Sequence, residues 1–216
     1  MAPRRKERRT ERSKLDATPP WETKRPREAE ATTGPFDIHD APDDGTERLD
    51  LGALRIPVDT GLELRVEVDD QGTVATVNLV NDAGQMQLGV FAAPRSEGIW
   101  DEVRGEIKAS ITEQGGKTRE VEGEFGIELN GTLPAPGGVT PVRFIGVDGP
   151  RWFLRAMLAG SPAAEAEKSA VFIAAFRALV VVRGNEPLPV RDPVPLQLPR
   201  EAAEQIAAAV EQEQQG

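Results

Sequence analysis

RFIGVDGPRWFLRAMLAG, residues 143–160, decides how the rest of the chain is read. Trp152, Leu154, Ala156 and Leu158 alternate with Arg151, Phe153, Arg155 and Met157. A period of two sends successive side chains to opposite faces of a strand. A strand is also expected over 141–148, and Val-Asp-Gly-Pro at 147–150 reverses the chain between the two runs. In that reading Gly149 tolerates unusual dihedrals, while Pro150 fixes its own φ and removes a backbone donor. The stretch predicts a central β-hairpin, with Trp152 on the core side.

Upstream, the same period recurs. In LELRVEVD, 62–69, Leu62, Leu64, Val66 and Val68 share one face, and Glu63, Arg65, Glu67 and Asp69 share the other. Asp69-Asp70-Gln71-Gly72 is turn chemistry, and Thr73–Val80 is the return strand, with Ala75, Val77 and Leu79 inward. Asn81–Gly84 turns the chain again into a strand over 85–92 that carries Met86, Leu88 and Val90. LGALRIPV, 51–58, adds an edge strand that Pro57 ends. The period then changes. Ile99, Val103, Ile107 and Ile111 recur every four residues, which predicts an amphipathic helix capped by Ser96 and ended by a left-handed exit at Gly115-Gly116. Trp100 falls at the margin of that stripe and reads as an exposed aromatic. Residues 118–124 and 127–133 read as two short strands and 134–140 as a Gly-rich loop.

Downstream of the hairpin, Ser161-Pro162 predicts an N-cap followed by proline at the first helical position. That helix is expected to run to about Ala175, with Phe172 and Phe176 inward. The apolar run Leu179–Val182 reads as a strand covered on both faces. Five prolines between 187 and 199 predict an extended segment lying on the domain, and Arg200–Gln214 a weak terminal helix. The whole is α+β: an antiparallel sheet of about seven or eight strands packed with two helices, over residues 35–199. Residues 1–34 are charged, Pro-containing and poor in apolar side chains, and read as a disordered tail; 200–216 is a short helix or tail.

Charge is distributed unevenly. Residues 35–142 carry eight Lys/Arg against twenty-one Asp/Glu, whereas residues 143–183 carry six against three and residues 1–34 ten against six. The tail, with Arg4, Arg5, Lys6, Arg8, Arg9, Arg12 and Lys14, offers contact to nucleic acid or an acidic partner, or is simply solvated. It lacks the apolar run of a signal peptide, and no stretch of the chain is apolar for long enough to form a membrane helix. With no Cys in the chain, the expectation is a cytoplasmic protein without a membrane association.

Several chemistries find no support. The sole histidine, His39, precedes the domain's patterned strands, so no Ser-His-Asp triad forms within them. Cysteine nucleophiles are excluded, and zinc ligands are lacking in number. Gly116-Lys117-Thr118 resembles the end of a P-loop, but Ile111 stands where the first glycine belongs and the triplet follows a helix instead of preceding one. Glu120, Glu122 and Glu124 alternate along one strand, which suits a hard cation or, more simply, a solvated edge. Asp69–Gly72 is too short for an EF-hand loop. No cofactor motif is present, and no catalytic or metal-binding residue is assigned.

The basic hairpin remains. Arg143, Arg151, Arg155 and Arg183 lie on predicted strands and, if they share a face, form a strip able to hold carboxylate or phosphate groups bidentately. Otherwise they pair across the sheet with the acids of the preceding half. With Arg95, Trp100 and Asp148 they make up the candidate interaction surface.

LDLGALRIPV, the FAAPR and W-DEVR runs (Phe91–Arg95, Trp100–Arg104), RFIGVDGPRWFLR and VVVRG followed by PLQLP resemble an actinobacterial family of uncharacterised proteins, the domain of unknown function 3710. The resemblance covers roughly 34–199 and is most specific at GVDGPRWFLR. It implies a bacterial cytoplasmic setting and a variable charged tail, and brings no catalytic residues. The order of elements is also similar to the Mog1/PsbP-like α+β sandwich, an analogy of fold alone. Three functional readings follow: a non-enzymatic interaction or adaptor domain with a protein partner, a binder of nucleic acid or an anionic ligand through the tail and the hairpin, and a hydrolase that works with carboxylates. The first accords best with a well-patterned sheet that carries few reactive groups.

Overall fold

The computed structural model describes residues 33–68 and 74–199. The expected tail (but for its last two residues), the turn at Asp69–Gly72 and the helix at Arg200–Gln214 lie outside the described residues.

Seven strands form one antiparallel sheet, in the order β4-β5-β6-β10-β9-β8-β7. They are β4 (Glu63–Val68), β5 (Val74–Asn81), β6 (Gly84–Ala92), β7 (Lys117–Gly123), β8 (Gly126–Ala135), β9 (Gly138–Gly149) and β10 (Trp152–Gly160). The opening hairpin is its centre: β10 lies between β9 and β6, with Trp152 opposite Gly149 on one side and Ala92 on the other. The alternation in 152–158 is realised as read. Trp152, Leu154, Ala156 and Leu158 are buried on one face, and Phe153, Arg155 and Met157 occupy the other.

A second sheet of four short strands has the order β1-β11-β3-β2. It is built from β1 (Phe36–Asp37), β2 (Arg48–Asp50), β3 (Leu54–Pro57) and β11 (Val180–Val181). Here the expectation of one sheet needs correction. LGALRIPV does supply a strand that ends at Pro57, but it pairs with β2 and β11 and not with the large sheet. The 179–182 run is buried as expected, yet its strand is two residues long and runs parallel to β1. Residues 134–140 are no loop either. β8 continues to Ala135, and Pro136-Gly137 reverse the chain directly into β9.

Helix α1 (Trp100–Glu113) lies on the outer face of the large sheet, over β7, β8 and β9. Its exit is as expected: Gly115 has φ 79°, its N–H donates to Thr112 O, and Gly116 N–H donates to Ile111 O at 2.8 Å. That pair of bonds satisfies the last carbonyls of the helix. Ser96 does not cap the start; the N-cap position is Ile99. The helix predicted after Gly160 is broken in two. α2 (Ser161–Ala164) already contains Ser161, Glu165 is extended, and α3 (Ala166–Arg177) follows.

The inner face of the large sheet, the small sheet and α3 enclose the main core. Leu54 and Ile56, Leu79, Met86 and Leu154, and Phe172 and Phe176 meet there. A second cluster lies between the outer face and α1, built on Trp100, Ile111, Leu129, Phe144 and Phe153. Residues beyond Gly184 run extended over the domain, and Val194 and Leu196 are buried in the main core.

Candidate functional site

The hairpin turn consists of Pro150 and Arg151. Proline presets the first turn dihedral, and the second position requires φ > 0. That position is Arg151, at φ 62°, and not the glycine expected to absorb the strain. Gly149 serves another purpose, since a Cβ there would run into the Trp152 ring. The left-handed Arg151 aims its carbonyl at two donors, the Ala93 N–H at 3.0 Å and Arg183 Nε at 3.1 Å. Its own guanidinium donates to Gly184 O at 2.7 Å, and Arg183 Nη1 donates to Glu186 O at 3.1 Å. Both cations are therefore satisfied by neutral carbonyls, and neither meets a carboxylate among the described residues.

The predicted strip of arginines does not form, because its members face different ways. Arg143 lies on the inner face and makes a bidentate ion pair with Glu128 of β8, at 2.6 and 3.1 Å. Glu128 is 2% exposed. The carboxylate fits because Gly123 lies beside it; a Cβ at 123 would occupy its place. This is the cross-sheet pairing that the acidic half of the chain makes available. Asp148 points to the start of α1, where its Oδ1 accepts the Ile99 N–H at 2.8 Å and its Oδ2 the Trp100 N–H at 3.3 Å. A carboxylate there satisfies orphan donors and suits the positive end of the helix. Trp100 is buried, contrary to expectation. Its ring lies over Gly146, where a Cβ would collide with it, stacks on Phe153 at 5.8 Å, and donates from Nε1 to Ile127 O at 2.6 Å. Trp152 is core, as read, and its Nε1 donates to the buried Asp37 at 2.7 Å.

Two predicted residues stay without a structural task of this kind. Arg95 is exposed, with no polar partner among the described residues. Arg155 sits half-buried in the middle of the large sheet's outer face, between Gly89 of β6 and Gly146 of β9. Its guanidinium lies 5.2 Å from the centre of the Phe91 ring. No carboxylate faces it among the described residues, and burial pushes its pKa down from the ordinary arginine value. Elsewhere among the described residues the exposed Arg119 of β7 also meets no acid, but the other arginines do. Arg48, Arg55, Arg65, Arg104, Arg143, Arg177 and Arg191 each meet an acid. Arg183 is tied to the hairpin turn through Arg151 O, and Arg95 follows two residues after Ala93, whose N–H donates to the same carbonyl. Arg155 lies further along β10, against the Phe91 ring.

Past Phe91 the outer face carries no described helix. Gln85, Glu63, Arg65 and Glu67 are exposed there, and Gln87, Thr76 and Val80 are half-buried. Sequence reasoning missed Phe91 and Glu128. Each left a trace: an aromatic at an outward position of β6 after Gln85 and Gln87, and an acid at an inward position of β8. A shallow cavity of about 490 Å³ lies elsewhere, at the small sheet, lined by Asp43, Thr46, Arg48, Asp50 and Arg55 among others. Its arginines are bound to Asp44 and Asp50. Among the described residues no group of three or more His, Cys, Asp or Glu side chains is placed to hold a metal ion, and no helix is long and apolar enough to cross a membrane. Glu120 turns to Lys108 and Arg104 of α1, while Glu124 lies in the turn after β7 and binds Arg177 of α3, so Glu120, Glu122 and Glu124 do not act together.

The sequence profile of a protein family of unknown function, the domain of unknown function 3710, matches residues 34–205. The chain belongs to that family. No curated protein matches it at a significant level. The part of the chain that matches the domain of unknown function 3710 includes the central hairpin and its turn.

Proposed function

We propose that residues 35–199 form a non-enzymatic, cytoplasmic protein-interaction domain whose partner presents carboxylates to Arg155 and to the turn arginines. Arg155 carries the reading. A guanidinium that is half-buried over an aromatic ring with no counter-charge has lost hydration, and only the ring quadrupole offsets that loss. An incoming carboxylate meets it in a medium of low dielectric and can bind it bidentately. In a chain of net charge −10, the described arginines at and near the hairpin that meet no acid, Arg95, Arg151, Arg155 and Arg183, are best explained by an acid that comes from outside.

The test uses a fluorescent Glu-rich peptide and the full chain in anisotropy titrations. Binding weakens at least about tenfold in Arg155→Ala, since hydrogen bonds to charged groups contribute about 1.5–3 kcal/mol. It is unchanged in Arg119→Ala, which removes an exposed arginine from edge strand β7. Equal affinities in wild type and Arg155→Ala overturn the proposal. A second reading, nucleic-acid binding, rests on the ten Lys/Arg of residues 1–34 together with the turn arginines. A single-stranded oligonucleotide that outcompetes the peptide, with affinity falling steeply as salt rises, favours that reading instead.

A further inference from the structure

β5 does not reach the end of β6. Their pairing extends from Asn81–Gly84 only to Val77–Leu88. Beyond that point Val90 and Ala92 are bound on one side by Leu154 and Trp152 of β10, and on the other by residues that follow Gly184. Ala92 N–H donates to Asp192 O at 2.8 Å, Arg191 N–H to Ala92 O at 2.8 Å, and Val194 N–H to Val90 O at 2.9 Å. Gln197 N–H donates to Leu51 O at 2.9 Å, and Val194 and Leu196 fill core positions.

This occupant is a poor strand. Pro193 and Pro195 have no N–H to donate. Toward β5 it makes one isolated bridge, Leu196 to Val74. Arg191 is held at φ 75°, a conformation that side-chain-bearing residues rarely adopt. Besides those backbone bonds and core contacts, two ion pairs outside the sheet fasten it: Arg191 Nη2 to Glu102 and Nη1 to Glu106 of α1, both at 2.6 Å. The Arg191 side chain is 40% exposed, so solvent and salt weaken the latch.

We propose that the end of β6 is a strand-addition site, that residues 191–197 are its resident occupant, and that an extended, proline-poor segment of a partner replaces them when the Arg191 latch opens. The chemistry of that segment follows from the slot. It needs apolar side chains two residues apart, to take the places of Val194 and Leu196. Its backbone must donate to Val90 O and Ala92 O and accept from Ala92 N–H. With a donor where the resident has Pro195, it can also bond on the side of Leu51, where Gln197 N–H already donates. Backbone pairing supplies affinity and the two apolar pockets supply selectivity, as in other recognition by strand addition. The proposal is independent of the Arg155 surface, which lies on side chains of the outer face.

Hydrogen exchange on the full chain tests it, with wild type, Arg191→Ala and the double variant Glu102→Gln/Glu106→Gln. The amides of Val194, Gln197 and Ala92 exchange about three- to tenfold faster in both latch variants, the range expected for loss of two exposed ion pairs. Leu154 and Ala156 keep their wild-type rates. A synthetic copy of residues 188–198 carrying Pro193→Thr and Pro195→Thr then binds the latch variants at least about threefold more tightly than wild type. Three results overturn the proposal: unchanged exchange at 191–197, exchange there that rises only together with Leu154 and Ala156, and equal or absent binding of the peptide. Dimers of the latch variants that exchange this segment between copies also overturn it, because the occupant is then a second copy of the chain.

Discussion

Glu128 and Arg143 are a pair whose worth depends on both members being present. Desolvating a carboxylate is costly, and the bidentate guanidinium offsets the cost only while it remains. Arg143→Ala is expected to destabilise the domain by about 3 kcal/mol, the low end for breaking a buried pair, because Arg143 keeps 19% of its side chain exposed. Replacing both residues with apolar ones of similar volume is expected to be nearly neutral. Urea unfolding of the single and double variants distinguishes the two outcomes. Asp148 holds the start of α1 from another element. Asp148→Ala is expected to cost about 1–2 kcal/mol in the same assay, with Asp148→Asn losing less. None of these partners was legible in the sequence. Alternation states which face a residue takes, but the partner of Arg143 is fixed by the register of β8 on β9 and that of Ile99 by the packing of α1. Trp100 was misread for the same reason: its burial depends on Gly146, 46 residues away, leaving a bare patch of backbone for the ring.

Elements with a long, clean period were legible. β4, β5, β6, β9, β10 and α1 fall within a few residues of where the pattern puts them, because each buries one face over several repeats. The rest lacked that signal. A strand of two residues has no period, so the small sheet was invisible as a sheet, and a Pro-Gly pair is a loop or a tight reversal according to the pairing around it. The β7–β8 hairpin shows what fixes such pieces. At its tip Phe125 meets Phe176 of α3 edge-on, 4.9 Å between ring centres, and Glu124 binds Arg177. The hydrogen-bonded guanidinium of Arg177 lowers the pKa of Glu124. A carboxylate with a lowered folded pKa contributes its full stability above the unfolded value, about 4.3, and loses it as pH falls through the folded value. Wild type is therefore expected to lose slightly more stability than Glu124→Gln on acidification below about pH 5, by no more than about 1 kcal/mol for so exposed a pair. Thermal unfolding of both proteins at pH 7 and pH 3.5 measures it.

At the scale of the molecule, two sheets share one core, and a polar contact joins them there, Trp152 Nε1 to Asp37, both buried. The carboxylate also accepts the His39 N–H at 3.0 Å. Trp152→Phe keeps most of the apolar area but strips Asp37 of a donor. It is expected to cost about 1–3 kcal/mol, with amide exchange rising first at Phe36 and Ile38, which are bound to Leu179 and Val181. Uniform exchange across both sheets would show that the contact does not couple them. The fold class was legible at this scale, and the division into two sheets was not, because β1 and β11 stand 144 positions apart at Phe36 and Val180 and no local pattern joins them. For the candidate site, alternation placed the hairpin but could not separate arginines already neutralised from those left without an acid.

The two clusters on either face of the large sheet also give the protein a spectroscopic use. It contains no tyrosine, and each cluster holds one tryptophan, Trp152 in the main core and Trp100 beneath α1. With Trp21 replaced, the emission of Trp100→Phe reports on the layer between the sheets, and that of Trp152→Phe on the layer beneath the helix. Loosening of one side can then be followed by fluorescence without attaching a dye.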